Sequence, residues 1–204
     1  IESPRFSLVA KENYVSSFWN TLTSNESIFV VRHQLQDDRG GASIGSMYLT
    51  DRGLGWGEVY ASESFRNLIG QHPEDVRNGL IKPDLAADGV TVKTRNGIPK
   101  YFITKFSYQE DYVTLSSPHV LRLAEMYLNR AEAYSKTSQD QLALDDINVI
   151  RSRAGLSGDD LYTLGNLQGA ATVLDAVLQE RRLELAYEGH RAFDVQISVK
   201  ALAG

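Results

Sequence analysis

Two apolar stripes at helical spacing follow one another in the second half of the chain. The first is predicted to start at Ser117 and Pro118 and to end near Lys136, and the second runs from a capping-box sequence at Ser138 to Gly155. Each stripe repeats apolar residues every three or four positions. Its members are Leu121, Ala124, Leu128 and Ala131 in the first stripe and Ala143, Ile147, Ile150 and Ala154 in the second. The pattern predicts a hairpin of two packed helices.

The spacing within this hairpin matches one tetratricopeptide unit, which is about 34 residues long. The matching positions are Tyr127, Ala131, Tyr134, Ala143, Ile147 and Ile150, and both tyrosines are expected in the core. Arg130 and Gly155 depart from the unit, which usually has leucine and proline there. Because a single unit cannot bury its own face, a third helix, predicted from Gly169 to Tyr187, or sequence upstream must cover it.

The end of the third helix carries the densest charges, in QERRLELAYEGHRAFDV at residues 179–195. Leu174, Leu178 and Leu185 form an apolar stripe, and helical spacing puts Arg181 and Glu188 on that same stripe. Charges so buried need partners. We expect a structural charge network that clamps this helix onto the hairpin, with arginines separating the glutamates. Its predicted members are Glu180, Arg181, Arg182, Glu184, Glu188, Arg191 and Asp194.

Two chemical alternatives exist for the same stretch. Glu180 and Glu184 lie one turn apart and could serve as the carboxylate pair of a glycoside hydrolase, although neighbouring arginines would lower a pKa that a general acid needs raised. Glu188, His190 and Asp194 could bind a metal, but they lack the HExxH spacing of strong zinc motifs. No nucleotide loop or nucleophile elbow is present. We therefore expect neither a cofactor nor a metal.

Composition excludes several classes of protein. The chain of 204 residues has no cysteine and a net charge of −5 without a basic stripe, so disulfides, thiolate chemistry and nucleic-acid binding are not expected. Its apolar runs are far shorter than the roughly 20 residues of a membrane span. The chain starts at Ile1 without a signal sequence or lipid-acceptor cysteine, and we expect a fragment of a longer protein.

The first half of the chain alternates short elements with loops. The predicted elements are a helix from Pro4 to Trp19, a strand at residues 26–31, a helix from Ser62 to Ile69, a turn at residues 72–79 with an Asp75/Arg77 pair, and a small hairpin around Asn96 and Gly97. Between Gln36 and Gly57, nine Asp and Gly residues predict an irregular loop long enough to suggest a function.

Three motifs in sequence order resemble the C-terminal region of the SusD/RagB family. They are VLRLAEMYLNRAEAYSK at 120–136, ALDDINVIRSRAGL at 143–156, and QERRLELAYEGHRAFDV. The resemblance is strongest over residues 118–194, and residues 195–204 form an atypical tail. It implies one mainly α domain over residues 1–204, with a tetratricopeptide-like hairpin, packing helices, long irregular loops and a small β-hairpin.

The resemblance also implies a function. Members of the family are non-enzymatic, lipid-anchored proteins on the outer face of the outer membrane. They bind oligosaccharides or other nutrients and pass them to a TonB-dependent transporter, their partner. The anchor would lie upstream of this chain. A helical protein–protein interaction scaffold and a hydrolase using Glu180 and Glu184 remain alternatives.

A glycan site should combine a flat aromatic side chain with polar groups that bond hydroxyls. Within or beside the Gly-rich loop these are Tyr48, Trp56 and Tyr60, with Asp51 and Arg52 as polar neighbours. The competing interpretation of Trp56 is a loop anchor packed on the domain. In the predicted hairpin, Tyr101 and Phe102 are expected in the core.

Overall fold

The computed structural model describes residues 4–202, and side chains over residues 4–196. Within this range the protein is mainly α-helical, as predicted, with seven α-helices and three small antiparallel sheets. The helices are α1 (Tyr14–Ser17), α2 (Ile44–Tyr48), α3 (Glu63–Ile69), α4 (Leu123–Lys136), α5 (Asp140–Arg153), α6 (Val173–Glu184) and α7 (Arg191–Leu202). The strands are β1 (Ser27–Val30), β2 (Ile81–Pro83), β3 (Thr94–Arg95), β4 (Ile98–Pro99), β5 (Tyr101–Ile103) and β6 (His119–Arg122).

Helices α4, α5 and α6 enclose the main core. All residues of the two hairpin stripes except Leu121 are fully buried, and all of these except Ala154 belong to this core. Ala176 and Val177 of α6 close its third side. Each buried leucine or isoleucine contributes about 1.5 to 3 kcal/mol relative to exposure. Tyr127 and Tyr134 pack against this core at its partly buried edge. The helical hairpin and the third helix that covers it are thus confirmed.

Helix α4 begins five residues later than predicted, at Leu123. Residues His119–Arg122 instead form strand β6, which pairs antiparallel with β1, and this places Leu121 opposite Phe29. Ser117 precedes Pro118, and a residue before proline disfavours the helical backbone conformation. The extended backbone continues beyond Pro118 into the pairing of β6 with β1. Leu121 is therefore exposed rather than part of the helical stripe.

The two ends of α5 gave different outcomes. Its N-cap is Gln139 without a side-chain cap bond, so the predicted capping box is wrong. Its C-terminus is as predicted: Gly155 has φ +103°, its N–H donates to the carbonyl of Ser152 and the N–H of Leu156 donates to that of Arg151. This pair of bonds is a Schellman motif, which needs the left-handed backbone that glycine adopts without strain.

Helix α6 is shorter than predicted at both ends. Thr172 caps it by accepting a hydrogen bond from the N–H of Asp175, and it ends at Glu184. Tyr187 and Gly189, at φ +68° and +89°, lead into α7, which begins at Arg191 and continues through residues 195–202 of the tail described as atypical.

The predicted N-terminal helix is wrong. Only a 3-10 turn (Lys11–Asn13) and the one-turn α1 form, because the backbone N–H of Val9 is drawn to the buried carboxylate of Glu26, 3.1 Å away. The predicted strand at 26–31 is confirmed as β1, and the predicted helix at 62–69 as α3 with Ser62 as its N-cap.

The predicted loop and hairpin are only partly regular. Helix α2 and two 3-10 turns lie within or at the edge of the loop from 36 to 57. Asn96 and Gly97, both at positive φ, join β3 to β4 as predicted. Strand β5, however, pairs with β2 and not across that turn. This pairing buries Phe102, while Tyr101 is partly buried.

Candidate functional site

The charged stretch of α6 forms the centre of a buried ion-pair network. Glu180 and Glu184 are completely buried, and Glu188 nearly so. The network joins five carboxylates to five cations, and the side chain of each is at most 6% exposed. The carboxylates are Glu26, Asp75, Glu180, Glu184 and Glu188, and the cations are Arg77, Lys105, Arg122, Arg151 and Arg153. A buried charge needs a partner of opposite sign, and the equal numbers of carboxylates and cations meet this need.

The cations come from elements that pack on α6. Arg77 bonds Glu180 at 2.6 Å, and Arg151 of α5 reaches the other oxygen of that carboxylate at 3.0 Å. Arg122, at the end of β6, reaches Glu184 at 2.5 Å and Glu188 at 2.8 Å. The network thereby ties α6 to α5, to the strands and to the segment that carries Arg77.

Two of the arginines predicted to separate the glutamates lie outside the network. Arg182 is partly exposed and donates to the hydroxyl of Ser64 at 3.2 Å, and Arg191 is exposed at the start of α7. Arg181 is buried, but it pairs with Asp194 at 3.1 Å and with Asn129 at 2.7 Å. The side of α6 that carries the buried glutamates packs against other elements of the fold. The cations that pair with these glutamates therefore come from those elements and not from α6 itself.

The carboxylate pair of the hydrolase alternative is sealed from solvent. Burial alone would raise the pKa of Glu184, but the guanidinium groups of Arg153, Arg122 and Arg77 hold it well below its usual range. A general acid needs the reverse shift and access to substrate. Neither Glu180 nor Glu184 is accessible to a substrate, and the pKa of Glu184 is lowered rather than raised.

The carboxylates of the predicted metal site already pair with cationic side chains. Glu188 bonds Lys105 and Arg122, and Asp194 bonds Arg181. Another set with metal-ligating chemistry is His72, Glu74 and Asp160, whose donor atoms lie within 4.8 Å of one another. The guanidinium of Arg151 lies 3.5 Å from His72 Nε2 and places positive charge beside that set, which disfavours a cation.

The predicted ligand-binding residues separate into three places. Asp51 and Arg52 line an open cavity of about 660 Å³, which we call the first cavity. Tyr48 and Tyr60 line another of about 450 Å³, the second cavity. Trp56 lines neither; it is 65% exposed, and its indole lies over Gly41. Trp56 therefore contacts its own loop while most of its surface faces solvent.

The first cavity has an aromatic wall and a charged rim. Trp19 and Tyr108 meet edge to face at 5.1 Å, and the indole N–H of Trp19 donates to the carbonyl of Thr104 at 3.1 Å. The Tyr108 hydroxyl donates to Asp51 at 2.8 Å and accepts from Lys82 at 3.1 Å. Burial opposes the effect, but these Tyr108 and Lys82 contacts lower the pKa of Asp51. Asp51 is therefore a fixed acceptor at the rim.

Backbone strain is concentrated at this cavity. Four of its lining residues are non-glycine residues with positive φ, at +50° to +66°. They are Arg52, Tyr108, Glu110 and Asp111. Such conformations cost about 1 to 3 kcal/mol each and cluster at ligand sites. The ion pair between Arg52 and Asp111, at 3.0 Å, holds two of them together.

Sequence reasoning missed Trp19, Lys82 and Tyr108. Trp19 was placed at the end of a helix that does not form. Lys82 lies in β2 and Tyr108 after β5, and only the folded chain brings them beside Asp51. No local pattern identifies them.

Among residues 4–202, each helix is too short or too polar to cross a bilayer. The family model of the SusD family matches residues 82–196. No curated protein sequence matches the chain.

Solved structures share the fold over nearly the whole chain. A SusD superfamily protein from Bacteroides thetaiotaomicron VPI-5482 is 30% identical, with a TM-score of 0.71 over 93% of this chain and 41% of its own. One from Bacteroides vulgatus ATCC 8482 is 27% identical, with a TM-score of 0.69 over 93% of this chain and 40% of its own.

The fold is also that of surface glycan-binding protein A from Bacteroides thetaiotaomicron, solved in complex with laminarihexaose. That protein is 22% identical, with a TM-score of 0.70 over 98% of this chain and 48% of its own. The chain thus spans less than half the length of each of these three structures. The family model covers more than half of the chain, and the mainly α-helical fold agrees with it: this chain belongs to the SusD family.

Proposed function

We propose that this protein binds oligosaccharides without cleaving them, and that the first cavity contributes to the site. The single observation that carries the proposal is this cavity, in which the aromatic wall of Trp19 and Tyr108 faces the polar groups of Asp51, Arg52 and Lys82. Sugar rings stack on aromatic faces while their hydroxyls bond charged and amide groups. A volume of about 660 Å³ is within the range of small-molecule sites.

Support also comes from similar proteins. The structure of surface glycan-binding protein A with laminarihexaose has the same fold. We further propose that the site passes its ligand to a TonB-dependent outer-membrane transporter and that a lipid anchor holds the protein at the cell surface. The inaccessibility of Glu180 and Glu184 supports a binder over a hydrolase, since the strongest carboxylate pair of the sequence cannot reach a substrate.

The test is calorimetry and affinity electrophoresis of the chain with a panel of neutral oligosaccharides, alongside analysis for released products. Removing the Arg52 guanidinium in Arg52→Ala should weaken binding about tenfold, the loss of about 1.4 kcal/mol expected for one charge-assisted hydrogen bond. Arg95→Ala is the matched control, because Arg95 forms an exposed pair with Glu58 and does not line the cavity.

Trp56→Ala tests the exposed tryptophan separately. If Trp56 forms part of the same binding surface, its removal weakens binding without lowering the melting temperature. Release of product, or the absence of binding to every oligosaccharide tested, would contradict the proposal. Retention of a protein partner without saccharide affinity would support the scaffold instead.

A further inference from the structure

The second cavity differs from the first in its charge. Its wall contains aromatic rings from three segments, and two arginines, Arg182 and Arg191, line it as well. The aromatic lining residues are Tyr48, Tyr60, Phe65 and Tyr187. Tyr48 and Tyr60 are predicted ligand-binding residues. The fold places them in the same cavity as Arg182 and Arg191, which are far from them in the sequence.

Neither arginine has an ion-pair partner among residues 4–196. Arg182 makes one neutral hydrogen bond, to Ser64, and Arg191 is exposed. Burial lowers the pKa of Arg182, and the nearby charge of Arg191 lowers it further. The other Arg, His and Asp side chains that line the cavity have partners: Arg181 pairs with Asp194 at 3.1 Å, and His190 lies 4.0 Å from Glu125. The cavity therefore carries an excess of positive charge.

This excess contrasts with the rest of α6. In the buried network every arginine has carboxylate partners, and five cations balance five carboxylates. The guanidinium groups of Arg182 and Arg191 repel each other, and no carboxylate among residues 4–196 pairs with either of them to offset that repulsion. An anion from outside would relieve that repulsion.

The rings of the aromatic wall pack on one another. The ring of Tyr187 packs edge to face on Phe65 at 5.3 Å and on Tyr48 at 5.9 Å. To reach this position Tyr187 adopts φ +68°, which is unfavourable for a bulky residue. Backbone strain of this kind persists only where surrounding packing enforces it, and it is common at ligand clamps.

We infer that the second cavity binds the anionic group of an acidic saccharide, with the carboxylate or sulfate between Arg182 and Arg191 and the sugar ring against the tyrosines. Guanidinium groups bind such anions through paired, charge-assisted hydrogen bonds. This inference rests on the proposed function, and it specifies a substrate class that the first cavity does not.

The experiment is calorimetry of the whole chain with an oligogalacturonide, with the same oligomer as its methyl ester, and with a sulfated oligosaccharide. The ester keeps the sugar rings and removes the charge. The oligogalacturonide should bind at least about tenfold more tightly than its ester, which is about 1.4 kcal/mol. Tight binding of the sulfated oligosaccharide alone would assign the site to sulfate.

Arg182→Gln and Arg191→Gln should each reduce this preference about tenfold. Arg32→Gln is the control and should leave the preference unchanged, because Arg32 is exposed and lines neither cavity. Salt gives a second measurement that needs no variant. At about 1 M NaCl, where the Debye length is about 3 Å, the preference for the acid form should largely disappear. Equal affinity for acid and ester together with no tighter binding of the sulfated oligosaccharide, or a preference that survives both substitutions, would overturn the inference.

The two proposals fail in different ways. If neutral oligosaccharides bind and Arg52→Ala weakens them, but no acidic form is preferred, only the inference about the second cavity is lost. If no saccharide of either kind binds, both are lost.

Discussion

The glutamates of α6 show how one residue can depend on several distant elements. Glu184 accepts hydrogen bonds from Arg77, Arg122 and Arg153, and it is completely buried. A buried ion pair adds little net stability, but removing one partner leaves uncompensated charge, at a cost of about 3 to 5 kcal/mol. The network therefore makes this position intolerant of substitution.

Glu184→Gln should consequently lower stability by about 3 to 5 kcal/mol, or roughly 6 to 20 °C in melting temperature for a chain of this size. The control is Glu58→Gln, which breaks the exposed pair with Arg95 and should cost less than about 1 kcal/mol. Thermal unfolding followed by circular dichroism gives both values. Similar shifts for the two variants would show that the network does not clamp the fold.

At the scale of elements, the end of α5 depends on one glycine. Gly155 has φ +103°, and an added Cβ would lie 3.3 Å from the carbonyl oxygen of Glu74. An alanine there must adopt an unfavourable backbone against a rigid neighbour.

Gly155→Ala should therefore destabilise the protein by about 1 to 2 kcal/mol in denaturant unfolding. Gly165→Ala is the matched control, because a Cβ added there would lie 3.9 Å from its nearest neighbour, the hydroxyl of Thr163, and the φ of Gly165 is not positive. We expect a change within about 0.5 kcal/mol for that variant. If both substitutions proved neutral, the Schellman motif would not stabilise the helical hairpin.

The elements predicted from sequence were those whose signals are local. The stripes of α4 and α5 and the glycine after α5 follow from spacings within one helix. The start of α4 was wrong because β6 pairs with β1, about ninety residues earlier, and this pairing overrides local preference. Glu184 was expected in a charge network, but its partner Arg122 lies 62 positions away, and no spacing rule reaches that distance.

The same limit applied to the candidate site. Asp51 and Arg52 could be proposed because they lie in one loop rich in glycine. Trp19 and Tyr108 could not, since the first cavity exists only once the segments around β2 and β5 meet. Local sequence identified the polar side of the cavity and missed its aromatic side.

At the scale of the whole molecule, buried titratable groups couple the fold to pH. Burial lowers the pKa of His119 from 6.5 to about 4, and the charge of Arg122 acts in the same direction. Burial opposes the shift of Glu188, but Arg122 and Lys105 lower its pKa from 4.5 to about 2. His119 lies in β6 beside Ser27 of β1, and Glu188 binds Arg122 at the end of β6.

Each group changes the stability of the protein over its own pH range. The folded state favours neutral His119, so its contribution is present above pH 6.5 and is lost as the pH falls to about 4. The folded state favours ionised Glu188, so its contribution is present above pH 4.5 and is lost as the pH falls to about 2. Stability should therefore decline in two successive stages on acidification.

His119→Gln separates the two stages. Glutamine stays neutral at every pH, so this variant should lack the decline between pH 6.5 and 4, on the order of 3 kcal/mol, and keep the decline below pH 4.5. Urea unfolding at closely spaced pH values measures both stages. A variant whose pH dependence matched that of the parent in the upper window would mean that His119 does not couple folding to protonation, and that the buried carboxylates alone set the acid limit of the fold.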